Sequence, residues 1–161
     1  MACYFVLSTK RYAHPPKGPA MLQVEDRYAI DETLSMHGHI FDAGELDRLD
    51  EIFTPDVVYD MSAVGVGTFE GIEAIRSAAL QLGPGNPVAH HVTNVVISGA
   101  GDGTVTALSK GLVLRADGTL ASATHLDTLR RHDGGWRISR RVISPQLTPL
   151  GGAHLADAGD R

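Results

Sequence analysis

Histidines and acids are the side chains in this sequence best suited to chemistry, and one of the acids has an informative position. Asp42 falls where a predicted helix ends, beside an apolar face formed by Leu34, Ile40 and Phe41. A carboxylate there either bonds to the amides of its own turn or points into a cavity, where it can act as an acid. The stretch by itself leaves both interpretations open.

Two of the histidines lie next to each other in a predicted strand. Because side chains alternate across a strand, His91 shares a face with Thr93 and Val95, and His90 lies on the opposite face. Adjacent strand residues cannot chelate one ion from the same face, so the pair is not a metal motif. The sequence predicts no metal site.

Two further strand faces combine small apolar residues with a few polar ones. The first contains Ser109, and the second contains His125 and Asp127. Small side chains facing a helical layer leave space, so these faces fit a ligand-binding concavity. The alternative for His125 and Asp127 is an exposed cross-strand polar pair, and the alternative for His37 is an ordinary position on a helix surface.

Composition and motifs exclude several classes of protein. With 161 residues, a net charge of -5 and interspersed charges, the chain has no basic surface for nucleic acid or anionic lipid. No apolar run approaches the roughly 18 residues that span a bilayer. Cys3 is the only cysteine, and the serine-nucleophile, phosphate-loop and zinc-hydrolase spacings are missing. The sequence predicts a globular cytoplasmic protein without a cofactor.

The order of predicted elements indicates an α+β fold. Apolar residues recur at helical spacing over 22–40, with a possible break near 29–31, over 45–53 and over 72–82. A short strand at 57–61 stands between the last two. Four alternating strands joined by tight turns then follow, at 88–98, 104–114, 119–131 and 136–143. Helices packed on one face of a curved antiparallel sheet are the predicted architecture.

The two ends of the chain differ from the middle. Residues 1–20 contain Pro15, Pro16 and Pro19 and lack the charge order of a secretory signal, whereas Met21 opens a regular helical pattern. Residues 151–161 are rich in glycine and alanine. We therefore predict a flexible extension at 1–20, one domain at 21–150 and a flexible tail at 151–161.

The middle of the chain resembles the SnoaL-like branch of the nuclear-transport-factor-2-like superfamily. The resemblance runs from about residue 25 to 145. It is carried, in order, by FDAGELDRLDEIFTPDVVYD, GTFEGIEAI, AHHVTNVVI and RRHDGGWRISRRVI. It implies a cone, in which a strongly bent sheet wraps a long helix around a deep pocket. Members include isomerases, dehydratases, cyclases, epoxide hydrolases and dioxygenase β-subunits, so function has to come from the site.

The scytalone dehydratase branch has the most similar site. Its catalytic aspartate falls on Asp42 and its strand histidine on His91, which implies a dyad in which the carboxylate orients the imidazole. The tyrosines that hold a water on the substrate carbonyl in that branch fall on Phe41 and Met61, which cannot do so. Its second strand histidine falls on Ser109, and its strand asparagine on His125. Dehydration of that particular substrate is therefore not implied.

The resulting hypothesis is a cofactor-independent lyase, isomerase or cyclase that acts on a small apolar cyclic or polyketide-like metabolite. His91, oriented by Asp42, is the predicted base, and His125 completes the catalytic set. The predicted substrate-binding residues are His37, Tyr59, Met61, Ser109 and Asp127.

Two other functions remain as alternatives. One is a non-catalytic ligand-binding protein or dioxygenase β-subunit. The other is an epoxide hydrolase, which needs an Asp-Arg-Asp arrangement; Asp127 supplies one acid, but the pattern places no arginine in the pocket. The resemblance also implies a homodimer formed through the outer sheet face, where Leu108, Leu112 and Leu126 are available.

Overall fold

The computed structural model describes residues 22–99 and 102–155. Its helices are α1 (Val24–Asp42) and α2 (Ile72–Leu82). Its strands are β1 (Phe53–Met61), β2 (Gly67–Glu70), β3 (Ala89–Gly99), β4 (Thr104–Leu114), β5 (Leu120–His132) and β6 (Gly135–Pro145). The predicted extension at 1–20 and the tail beyond residue 155 lie outside the described residues, so the domain limits stay a prediction.

The six strands form one curved, open sheet in the order β2-β1-β6-β5-β4-β3. Three antiparallel hairpin pairings connect β3 through β6, as the sequence predicts. The pairing of β1 with β6 is parallel, because α2 carries the chain to the far edge of the sheet and the meander returns beside β1. The α+β class is confirmed, with one parallel pair in an otherwise antiparallel sheet.

Helix α1 lies across the sheet and contacts β3 and β6. It runs without the predicted break at 29–31, because Ile30 and Leu34 point into the core and have no exposed surface. Phe53, Leu129 and Ile138 meet them from the sheet and are equally buried. Burial of each such side chain contributes roughly 1.5–3 kcal/mol, so this contact fixes the helix on the sheet.

The segment after α1 differs most from the prediction. The expected helix at 45–53 is a six-residue 3-10 helix, Leu46–Glu51. Strand β1 begins at Phe53, ahead of the predicted 57, and includes Pro55 at an irregularity of its pairing with β6. A proline is tolerated there because the ladder is already interrupted. The loop expected around residue 67 contains the short strand β2.

Two β-bulges reverse the alternation of side chains along β3 and β6. In β3, Thr93 pairs with Lys110 and Val96 with Leu108, so β3 has one extra residue there, and Asn94 adopts a φ of 54°. In β6, Arg140 pairs with Thr128 and Ile138 with Leu129, which leaves Ser139 as the extra residue. An extra residue moves the following side chains to the other face.

In the described part of the chain, no helix has the length and apolar character needed to cross a membrane.

Candidate functional site at the mouth and floor of the cone

Asp42 and His90 form a hydrogen-bonded pair at the open end of the cone. His90 Nδ1 donates to Asp42 Oδ1 at 2.6 Å, and the backbone N–H of His90 donates to Asp42 Oδ2 at 2.9 Å. The side chains of Asp42 and His90 are 27% and 18% exposed. Each carboxylate oxygen of Asp42 therefore accepts a hydrogen bond from His90 on β3. Asp42 contacts the imidazole at Nδ1, which leaves Nε2 as the nitrogen that Asp42 does not bind. Of the two interpretations of Asp42, the structure contradicts the one in which it bonds the amides of its own turn, because its hydrogen bonds among the described residues go to His90 on β3.

The predicted contact between Asp42 and His91 is wrong. His91 is exposed, on the face of β3 that points away from α1. The bulge at Asn94 explains the error: Val95 and Ile97 pack against the core, and alternation counted back from them places His91 inside. The extra residue puts His90 there in its place.

Gly38 allows α1 to approach β3 closely enough for this pairing. A Cβ atom built on Gly38 would lie 2.4 Å from the backbone oxygen of His90. No larger residue fits without moving the helix or the strand. Asp42 lies one turn further along α1. The close approach of α1 to β3 that Gly38 allows therefore brings the Asp42 carboxylate within hydrogen-bond distance of His90.

His37 and Tyr59 form a second polar pair, deeper in the cone. His37 Nε2 and the Tyr59 hydroxyl share a hydrogen bond of 3.1 Å, and both side chains are buried. Burial lowers the pKa of His37 well below its ordinary value, and the positive charge of Arg141 lowers it further. Burial raises the pKa of Tyr59. Both groups are therefore neutral near pH 7, and either one can be the donor of the hydrogen bond between them.

Arg141 and Asp127 form a fully buried ion pair on β6 and β5. Arg141 Nε donates to Asp127 Oδ1 at 2.7 Å and Nη2 donates to Oδ2 at 2.9 Å. Burial by itself would lower the pKa of Arg141, but the charge and hydrogen bonds of Asp127 raise it above its usual value. The two residues face each other directly across the ladder, and Tyr59 pairs with Arg141 from β1.

The structure excludes one alternative for this region and corrects one expectation. Asp127 binds Arg141, and it forms no exposed pair with His125, since both acid and histidine are buried. No arginine was expected in the pocket from the sequence, whereas the Arg141 side chain is fully buried there. Simple alternation from Trp136 and Ile138 would point Arg140 inward, but the bulge at Ser139 puts Arg141 there in its place.

His125 and Ser109 lie side by side on β5 and β4, one row closer to the mouth. Both are buried. The His125 ring occupies the space above Gly111, where a Cβ atom would lie 2.4 Å from His125 Nε2. Burial, aided by the charges of Arg141 and His90, lowers the pKa of His125 to about 3. His125 is therefore neutral at physiological pH.

Four buried polar atoms in this region have no hydrogen-bond partner among the described residues. They are His37 Nδ1, Ser109 Oγ, His125 Nδ1 and Arg141 Nη1. An unsatisfied buried polar group costs roughly 1–3 kcal/mol, so a cluster of four is unusual in a region that serves only as core. The predicted substrate-binding residues His37, Tyr59, Ser109 and Asp127 thus come together, while Met61 is half-buried at the edge of the core.

Two open clefts lie outside the cone, on either side of Pro55. Their volumes are about 280 Å³ and 430 Å³, and they are bordered mainly by charged residues such as Asp50, Glu73 and Arg137. Neither includes the Asp42–His90 pair or the buried polar residues. The candidate site consists of the Asp42–His90 pair and the buried polar residues of the cone.

A helix wrapped by a bent sheet, with a histidine–carboxylate pair at the mouth and polar groups inside, defines a protein of the cone-shaped α+β class. The SnoaL-like domain family matches residues 22–142. The chain belongs to the SnoaL-like family, as the sequence motifs predict.

Solved structures support the same assignment. A nuclear-transport-factor-2-like protein with a cystatin-like fold from Novosphingobium aromaticivorans is 29% identical, with a TM-score of 0.64, and the match covers 85% of this chain and 90% of that one. A proposed aromatic-ring hydroxylase from the same organism is 25% identical, with a TM-score of 0.68 over 79% of this chain and 93% of the other. The protein LinA is 26% identical, with a TM-score of 0.63 over 80% and 91%. Among curated proteins, none matches significantly.

Proposed function

We propose that this protein is a cofactor-independent acid–base enzyme that abstracts a proton from a small, largely apolar, ring-containing molecule. The observation that carries the proposal is the double hydrogen bond from His90 to Asp42. It fixes Nδ1 as the protonated nitrogen, so the lone pair of Nε2 is free to accept a proton. Isomerisation, elimination of water and ring closure all begin with such a step.

The surroundings of His90 suit this role. Its ring lies 5.5 Å from that of His37 and 5.9 Å from that of Phe41, measured between centroids. His37 and Phe41 form one wall beside the partly exposed base. Further inside, the neutral His37–Tyr59 pair can donate a proton. The similarity to a proposed aromatic-ring hydroxylase is consistent with a ring-containing ligand.

Kinetics with a general probe tests the proposal without knowledge of the natural substrate. The probe is 5-nitrobenzisoxazole: a base removes the proton on its ring carbon, the N–O bond breaks, and a coloured cyanophenolate is released. We expect His90→Ala and Asp42→Asn each to reduce the protein-catalysed rate about 10²- to 10⁴-fold, the usual contribution of a general base.

The matched control is His91→Ala, which removes the exposed neighbour of His90. This variant keeps the wild-type rate if His90 is the base. Equal rates for wild type and His90→Ala contradict the proposal, as does a loss confined to His91→Ala.

Epoxide hydrolysis gains one supporting observation, because the structure supplies the buried arginine that this reaction needs beside Asp127. The second acid is missing, however. Asp42 binds His90, and no other carboxylate hydrogen-bonds Arg141 among the described residues. Epoxide hydrolysis therefore ranks below proton abstraction. A non-catalytic binding role, as in a dioxygenase β-subunit, gives no use for the Asp42–His90 pair.

We also propose that the chain forms a homodimer through the outer face of its sheet, in the cytoplasm. Val96, Leu108, Leu126 and Val142 occupy one row across four neighbouring strands. Val96 and Leu126 are 57% and 47% exposed. An apolar row of this kind on an open face indicates a protein contact.

A further inference from the structure

At the floor of the cone, buried polar groups without a hydrogen-bond partner among the described residues occupy two adjacent rows of the sheet. Ser109 and His125 face each other across β4 and β5, and Asp127 and Arg141 face each other across β5 and β6 in the next row. His37 covers them from α1, and its pKa responds to the charges of both Arg141 and His125. The four atoms without a partner among the described residues therefore belong to neighbouring positions: two adjacent rows of the sheet, and the helix residue that hydrogen-bonds Tyr59 beside Arg141.

Arg141 limits what these atoms can bind. A guanidinium only donates hydrogen bonds, so the buried Nη1 needs an acceptor. The two oxygens of Asp127 already accept from Nε and Nη2 of the same side chain. Ser109 Oγ and the two imidazole nitrogens can each donate as well. Of the four atoms, Arg141 Nη1 is therefore the one that can only donate, whereas the other three can donate or accept.

We propose that the floor of the cone anchors an acceptor oxygen of the substrate, with Arg141 Nη1 as its main donor and Ser109 Oγ as a second. The substrate class is then a ring compound that carries a carbonyl or an ionised hydroxyl oxygen. This inference rests on the function proposed for the same site. It adds the specificity-determining residues Ser109 and Arg141, which that function does not use.

The anchor complements proton abstraction at the mouth. When His90 Nε2 takes a proton from a carbon next to a carbonyl group, the C–H electron pair forms a C=C bond. The π pair of the carbonyl moves to its oxygen, which becomes an enolate. A buried arginine stabilises such an oxygen more strongly than water does, because the site is already organised and has a low dielectric constant.

Binding of three probes with related ring systems tests the anchor in the full-length protein. 2-Tetralone carries a carbonyl, 2-naphthol carries a hydroxyl, and 2-methylnaphthalene carries no acceptor. We expect the two oxygen compounds to bind about 10-fold or more tightly than 2-methylnaphthalene, as one hydrogen bond to a charged group implies. Equal affinities for all three, measured by calorimetry, overturn the inference.

Ser109→Ala separates an anchor from a structural role. Because Ser109 Oγ has no partner in the described part of the chain, its loss leaves the free energy of unfolding unchanged or higher, whereas the preference for the oxygen probes falls several-fold. Arg141→Met removes the main donor and is combined with Asp127→Leu so that no unpaired charge remains buried. This double variant is expected to bind all three probes equally. A retained oxygen preference in both variants contradicts the anchor.

The same binding measurements in His90→Ala distinguish the anchor from the proposed catalysis. If the oxygen preference persists there, the anchor holds whether or not the base is active. If the dyad variants lose the rate with 5-nitrobenzisoxazole while the wild type binds all probes equally, the catalytic proposal stands and the anchor fails. A complex with 2-tetralone in which only water meets Arg141 also overturns it.

Discussion

At the scale of single residues, burial keeps the imidazole rings of His37 and His125 in their neutral form. The low pKa of His125 arises first from burial and then from Arg141 and His90, and burial likewise lowers the pKa of His37. A neutral imidazole can donate from one nitrogen and accept at the other. The floor of the cone thus gains hydrogen-bonding capacity without adding positive charge beside Arg141.

This state makes stability depend on pH in a defined window. The pKa of His125 is about 3 in the folded protein and near 6.5 in the unfolded chain, so the unfolded state binds an extra proton between these values. The free energy of unfolding therefore falls as pH drops below 6.5. Between pH 7 and pH 5, we expect the free energy of unfolding of His125→Asn to fall by roughly 2 kcal/mol less than that of the wild type.

Urea denaturation of both proteins at the two pH values measures this difference directly. Since all other titrating groups are common to the two proteins, the comparison isolates His125. Parallel losses of stability in wild type and variant contradict a neutral, buried His125.

At the scale of elements, the Asp127–Arg141 pair joins β5 to β6 at the centre of the sheet. Both side chains have no exposed surface, so removal of one leaves the other charged and buried. We expect Asp127→Asn and Arg141→Met each to reduce the free energy of unfolding by about 3–5 kcal/mol. Asp127→Leu combined with Arg141→Met restores most of that loss, because an apolar pair replaces both charges.

Chemical denaturation of the three variants checks this expectation. Additive losses in the double variant show that each side chain acts separately and argue against the ion pair. Single variants with the same free energy of unfolding as the wild type would also argue against the ion pair.

The elements themselves were largely predictable from the sequence, whereas the inward faces of two strands were not. Helix α2 has the predicted bounds, and the four long strands lie within two residues of theirs, because their alternation and glycine turns are strong local signals. His90 and Arg141 both lie just beyond a β-bulge, at Asn94 and Ser139. A bulge is set by the pairing of two strands, so the sequence of one strand does not reveal it.

Glycines gave a signal that the sequence argument did not use. Gly38 lies one turn before Asp42 on α1, and Gly111 lies on β4 opposite Ala123, one row from His125. Each provides room for one half of the site, the first for the backbone at His90 and the second for the His125 ring. A glycine inside a helix or strand indicates a close approach of another group, and here both mark the site.

At the scale of the whole molecule, the proposed dimer leaves the open end of the cone free. The row of Val96, Leu108, Leu126 and Val142 lies on the outer face, away from Asp42 and His90. We expect the wild type to sediment as a dimer and Leu126→Lys to sediment as a monomer, because a buried lysine at the centre of the contact is costly.

Lys substitution at Leu150, which is 82% exposed and outside the row, serves as the control and leaves the dimer intact. A monomeric wild type at micromolar concentration contradicts the dimer, as does a Leu126→Lys variant that remains dimeric.

Nitrogen NMR of the imidazole rings shows whether Asp42 orients His90 as a base. In the wild type we expect the neutral His90 ring to carry its proton on Nδ1 and none on Nε2. In Asp42→Ala, the hydrogen-bonded Nδ1 proton signal disappears and the ring shifts toward the other tautomer. Identical His90 signals in both proteins, or a response from the ring of His91 in its place, would contradict this role of Asp42.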